Sequence, residues 1–250
     1  MPRIFFSSSG GYRWLDVWAL ASVVQLGTHR FCTRHLERGL DPCGRLFDQM
    51  TMAARSAVAN IAEGYSRRAT SVETELRLYD VARASLDELA GDYRAFLLFL
   101  RELPWSDSDP EENAVFRTPL DKPDFTADVE RASAAHILAQ YNKFGRWIEN
   151  ESSITAARAL LVLCCRCILM LAKKIEQSHA DFLANGGFAE SLSRERIAAR
   201  ASASSEESAP ACPKCGKAMQ KRLAKRGARA GRAFWSCTDY PACNGTRGID

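Results

Sequence analysis

Two pairs of cysteines near the C-terminus constrain this chain more than any other feature. Cys212 and Cys215 sit in Cys212-Pro-Lys-Cys215-Gly216, and Cys237 and Cys243 follow with five residues between them. A tight turn lets two closely spaced thiolates hold one tetrahedral metal ion, and the glycine after the second relieves the turn. Four thiolates and no open coordination position describe a structural Zn2+ site rather than a hydrolytic one. A module of about 40 residues buries too little apolar surface to fold alone, so the metal is expected to supply folding energy.

Charge separates this segment from the rest. Between Ala209 and Asp250 there are nine basic and two acidic residues, against 25 basic and 28 acidic elsewhere. A basic tail on a mildly acidic body points to a polyanion partner. Lys214, Lys221, Arg222, Lys225, Arg226, Arg229 and Arg232 are the candidate phosphate contacts, with Trp235 and Tyr240 as stacking faces for unpaired bases. The competing reading of Phe234 and Trp235 is that at least one of them is the small core of the module.

The chain has 250 residues, 46% of them apolar, enough for one core plus this module. Apolar residues recur at helical spacing through Trp14–Leu36, Pro42–Tyr65 and Thr70–Leu103. Asp41-Pro42 reads as an N-cap and first-turn proline, and Thr70-Ser71-Val72-Glu73 as a capping box. Pro104–Asp124, with four prolines and an acidic run, reads as a surface loop. Thr126–Asn150 is amphipathic, and a last helix capped by Ser152 or Ser153 runs to about Ala184, where Asn185-Gly186-Gly187 stops it. The expected fold is all-α: an up-and-down antiparallel four-helix bundle over 12–192, with an insertion at about 104–150. A linker at 193–210 then leads to a zinc ribbon at 211–250. As a flexible coil, the nine residues Ala201–Ala209 span about 15–18 Å on average.

Other features argue against common functions. The longest apolar run, Ala159–Ala172, is short and interrupted by Arg166, so no membrane span is expected. The nine cysteines and the absence of a secretory pattern in Met1–Gly11 lead to the expectation of a reducing, cytoplasmic compartment. Cys164 and Cys167 read as inert buried thiols. Arg166 beside them must snorkel, pair with a carboxylate or face a partner. No glycine-rich phosphate loop or serine-nucleophile motif occurs, so no enzyme activity is expected.

Cys212-Pro-Lys-Cys215-Gly216, Gly231-Arg-Ala-Phe-Trp-Ser-Cys237 and Tyr240-Pro-Ala-Cys243 resemble the four-cysteine ribbon at the C-terminus of bacterial type I topoisomerases. That resemblance implies DNA binding, often single-stranded, without strand cleavage. In the body, Arg55-Ser-Ala-Val-Ala-Asn60-Ile61-Ala62-Glu63-Gly64 resembles the signature of bundle proteins encoded in intervening sequences of bacterial ribosomal RNA genes. The same fold includes the accessory variability determinant of diversity-generating retroelements. Asp16-Val-Trp18 and Leu86-Asp-Glu-Leu89 fit the same family, and 182–190 is similar to a suffix found in its ribbon-bearing subgroup. The resemblance implies a homopentamer that binds a reverse transcriptase and its template RNA. Arg55, Arg67, Arg68 and Arg77 either extend a nucleic-acid path over the bundle or form a solvated face. The expected function is thus a nucleic-acid-binding adaptor serving such a reverse transcriptase. The alternative is a self-associating scaffold whose ribbon docks a protein.

Overall fold

The computed structural model describes residues 10–36, 41–125, 128–187, 190, 192–199, 209–224 and 231–249. The chain divides into two compact units, 1–188 and 189–250. The first is helical. A short 3-10 helix, Gly11–Trp14, leads into α1 (Asp16–His35), α2 (Arg45–Arg67), α3 (Val72–Phe99), α4 (Pro110–Arg117), α5 (Val129–Ile148) and α6 (Ser153–Asn185). The second unit holds β1 (Met219–Leu223), β2 (Ala233–Cys237) and β3 (Thr246–Gly248), an antiparallel sheet in the order β1-β2-β3. The protein is therefore mostly helical, and the all-α expectation is corrected by this small sheet.

Burial follows the helical period. Met50, Ala53, Ala57, Ile61 and Gly64 line the inner face of α2, and Tyr79, Ala82, Leu86, Leu89, Tyr93 and Phe96 that of α3. The α2–α3 and α3–α6 contacts are the most extensive, and α1 packs on both α2 and α6. Gly64 permits the first of these: a Cβ there would lie 2.9 Å from the Tyr79 ring. Phe31 meets Tyr93 and Phe96 edge-on at 5.2 and 5.0 Å, and the buried Tyr93 hydroxyl donates to Thr28 Oγ1 at 3.0 Å.

Several helix starts differ from expectation. α2 begins at Arg45 after Gly44 in the left-handed region, so Pro42 lies in the preceding turn. Asp41 nevertheless accepts from the Phe47 amide at 2.9 Å. α3 is capped by Ser71, which accepts from the Thr74 amide, so the Thr70–Glu73 capping box does not form. Ser152 caps α6, and Gly186 (φ 75°) ends it.

The 104–124 segment is not simply a loop. Asp109-Pro110 opens α4, whose Val115 is fully buried as the helix packs on α6. Arg166 explains part of this: its guanidinium leaves the apolar face of α6 and donates to the Thr118 carbonyl at 2.8 Å. Lys143 on α5 holds the same segment, bonding the Pro119 carbonyl at 2.8 Å and Asp121 at 2.6 Å. Cys164 and Cys167 are buried, and desolvation raises both thiol pKa values, which leaves them protonated and inert. By length and composition alone α6 is apolar enough to cross a membrane, contrary to the expectation from Arg166. In this fold that hydropathy serves the core, since Ala156, Leu160, Leu163 and Leu171 are fully buried.

Candidate metal centre and nucleic-acid interface

Two turns present the four cysteines. In the first, the Gly216 amide donates to the Cys212 carbonyl at 2.9 Å and the Cys212 amide to the Lys217 carbonyl at 2.8 Å, with Gly216 at φ 74°. In the second, the Cys243 amide donates to the Asp239 carbonyl at 3.0 Å and the Cys237 amide to the Gly245 carbonyl at 3.0 Å. Amides also point at sulfur: Lys214 N to Cys212 at 3.5 Å and Asp239 N to Cys237 at 3.4 Å. The Lys214 amide is the largest influence holding the Cys212 thiol down at about 7.

All four sulfurs lie within 4.8 Å of one another, with Cys212–Cys243 at 3.8 Å and Cys215–Cys237 at 3.4 Å. A tetrahedral zinc with bonds of about 2.3 Å sets its sulfurs about 3.8 Å apart. The donor set fits structural Zn2+. Gly245, absent from the expected site, is required by it, because a Cβ there would collide with Cys212 Sγ. Two ties join the turns: Lys217–Asp239 at 2.9 Å and Lys214 Nζ to Asn244 Oδ1 at 2.6 Å.

The sheet sorts the aromatics. Met219 pairs with Cys237, and Lys221 pairs with Trp235, which pairs in turn with Arg247. Residues two apart on a strand share a face, so Trp235 lies on the side of Cys237 and Met219. It packs half-buried against those two and Cys212. That packing favours the reading in which this ring belongs to the small core of the ribbon. Phe234 lies on the opposite face, in register with Arg222 and Gly248. It lines a groove with Arg232, Thr246 and Arg247. Tyr240 is 58% exposed, with the Arg222 guanidinium 5.9 Å from its ring centre. Phe234 thus joins the candidate surface, and Arg247 lines the groove beside it although the register pairs Arg247 with Trp235 on the other face. Arg247 was visible as charge, but its place in that groove was not.

Lys225, Arg226 and Arg229 lie outside the described residues. On the body, Arg55 is exposed, Arg67 pairs with Glu63 at 3.5 Å, Arg77 pairs with Glu73 at 2.9 Å, and Arg68 sits over the Tyr65 ring at 4.7 Å.

Residues 210–250 match the family described as the topoisomerase DNA binding C4 zinc finger. This segment is a topoisomerase-type C4 zinc ribbon. The match covers the ribbon and none of the helical body. Comparison with curated proteins and with solved structures gives no match for the chain. The C4 ribbon, with its cations and the exposed Tyr240, is consistent with nucleic-acid binding.

Proposed function

We propose that this protein is a non-enzymatic adaptor that holds nucleic acid through its C-terminal ribbon. The observation that carries the reading is the C4 zinc-finger match over the four convergent cysteines. Zinc, when bound, folds the module and takes no part in chemistry. Arg222, Arg232 and Arg247 then contact phosphates while Phe234 and Tyr240 offer faces to unpaired bases. Lys221, Lys225, Arg226 and Arg229 add to the same field.

In this reading α1, α2, α3 and α6 form an up-and-down bundle to which residues 104–150 are added. The bundle self-associates, so several weak ribbons act as one avid surface. The most concrete version is an accessory factor of a diversity-generating reverse transcriptase, positioning template RNA or cDNA. It is supported by the resemblance carried by Arg55–Gly64, Asp16–Trp18, Leu86–Leu89 and residues 182–190. The second reading, a protein-docking scaffold, is favoured by the exposed Leu98, Phe99 and Leu103 where α3 ends.

The test is binding of labelled single-stranded RNA, single-stranded DNA and duplex DNA, comparing the full chain with one ending at Ala209. Loss of affinity in the shorter chain is the expected result. Equal binding by both chains removes the ribbon from the function. Salt-tolerant capture of a protein by the body, with no nucleic acid bound, supports the scaffold.

A further inference from the structure

A cleft of about 570 Å³ opens in the helical body between α3, α4 and α6. Its size suits a ligand of a few hundred daltons. The buried Leu161 and Val162 contribute an apolar floor, and the half-buried rings of Trp105 and Phe116 line it. Charge is distributed at its edge. Arg94 and Arg117 are exposed there, and neither is held in an ion pair by a described carboxylate. Arg158, the third guanidinium of the lining, is spent on the Leu103 carbonyl at 2.7 Å and Glu102 at 2.9 Å. Glu112 and Asp107 add acceptors to the same cleft.

We propose that this cleft binds a nucleoside monophosphate: a flat amino-bearing heterocycle against Trp105 and Phe116, and a phosphate on Arg94 and Arg117. The rings, the two exposed guanidiniums and the two carboxylates each have a use in that ligand. The rings and apolar floor cover a heterocycle that water solvates poorly on its faces. Two guanidiniums outside any described ion pair, Arg94 beside the Cys165 thiol and Arg117 near Glu112, match a phosphate dianion in charge and hydrogen-bond geometry. Asp107 and Glu112 accept from exocyclic amino groups, which a simple aromatic acid lacks. Burial raises the Glu112 pKa, with the neighbouring Asp107 charge adding to it, so a donor between these carboxylates relieves an existing repulsion. The inference is independent of the ribbon.

Calorimetric titration of the full chain with adenosine monophosphate, and in parallel with adenosine, tests it. Adenosine monophosphate should bind one per chain, about tenfold more tightly than adenosine, as expected for charge-assisted bonds to phosphate. In the R94A/R117A chain its affinity should drop to that of adenosine, whose own affinity stays the same. Both arginines are exposed, so the variant keeps its fold, which thermal unfolding verifies. Trp105→Leu should weaken both ligands alike. The inference is overturned if adenosine monophosphate gives no binding at millimolar concentration. It is equally overturned if the arginine variant binds it as well as the parent, or if the phosphate adds nothing over adenosine.

Discussion

Gly245 leaves no room for a side chain beside the Cys212 sulfur: a Cβ at this position would collide with Sγ and lie 3.6 Å from the sulfur of Cys243. The two cysteine turns close on each other only because this residue is bare. Gly245→Ala should therefore lower zinc affinity by about tenfold or more, the scale of supporting-shell changes at metal sites. Competition with a chromophoric chelator measures this. Affinity equal to the parent's would show that the turns have slack which the geometry denies them.

Removing the metal should unfold the ribbon and spare the helices. The ribbon's buried cluster is small, built on Cys212, Met219 and Cys237 with Trp235 and Cys243 against it. A strong chelator should collapse the amide signals of 210–224 and 231–249 while the far-ultraviolet helical signal persists. Retention of the Met219–Cys237 strand pairing without metal would contradict this account of its stability.

Two helical glycines should respond in opposite directions to alanine. At Gly64 the new methyl meets the Tyr79 ring at 2.9 Å and the Glu75 carbonyl oxygen at 3.3 Å, between α2 and α3. At Gly91, inside α3, nothing lies within 4 Å. Gly64→Ala should cost about 1–3 kcal/mol by overpacking. Gly91→Ala should gain about 0.5–1 kcal/mol by restricting the unfolded chain. Urea unfolding followed by circular dichroism reads both, and equal effects would mean that α2 and α3 do not approach as described.

Acid should weaken the body through His35. Its Nε2 is buried without a hydrogen-bond partner, and its pKa falls below 6.5 chiefly through desolvation and secondarily through Arg34. The unfolded chain therefore binds the proton more readily. Stability is complete above 6.5 and declines as pH falls from there through the lower folded value. His136, also lowered by desolvation, adds the same sign. Unfolding at about pH 7.5 and pH 5.5 should show a smaller loss for His35→Gln than for the parent. An identical loss in the two chains would remove His35 as its source.

The elements that periodicity revealed are those with long apolar stripes. Met50–Ile61 and Tyr79–Phe96 repeat at helical spacing because each must bury one face, and that demand is written locally. α4 was hidden because its proline and acids, among the prolines of 104–124, carry the composition of a loop, whereas its reason to exist is the packing of buried Val115 and its helix on α6, about 50 residues later. Arg166 read as an anomaly for the same reason: its acceptor is the Thr118 carbonyl, a backbone atom no side-chain pattern announces. At the metal centre, the cysteine spacing was sufficient for the four ligands. Gly245 was not legible, since its role depends on a sulfur 33 positions away in the chain. Trp235 and Phe234 are neighbours with the same chemistry in sequence, and strand alternation places them on opposite faces.

The central claim is that a zinc-folded ribbon captures nucleic acid by charge and stacking. Its most direct measurement is the affinity for a labelled single-stranded oligonucleotide across a salt series, with the intact protein zinc-loaded and then zinc-stripped. The account predicts affinity that falls steeply with salt, with a logarithmic slope of about −0.7 per phosphate contacted, and that largely disappears when zinc is removed. Binding that is indifferent to salt, or that survives intact without the metal, would contradict it.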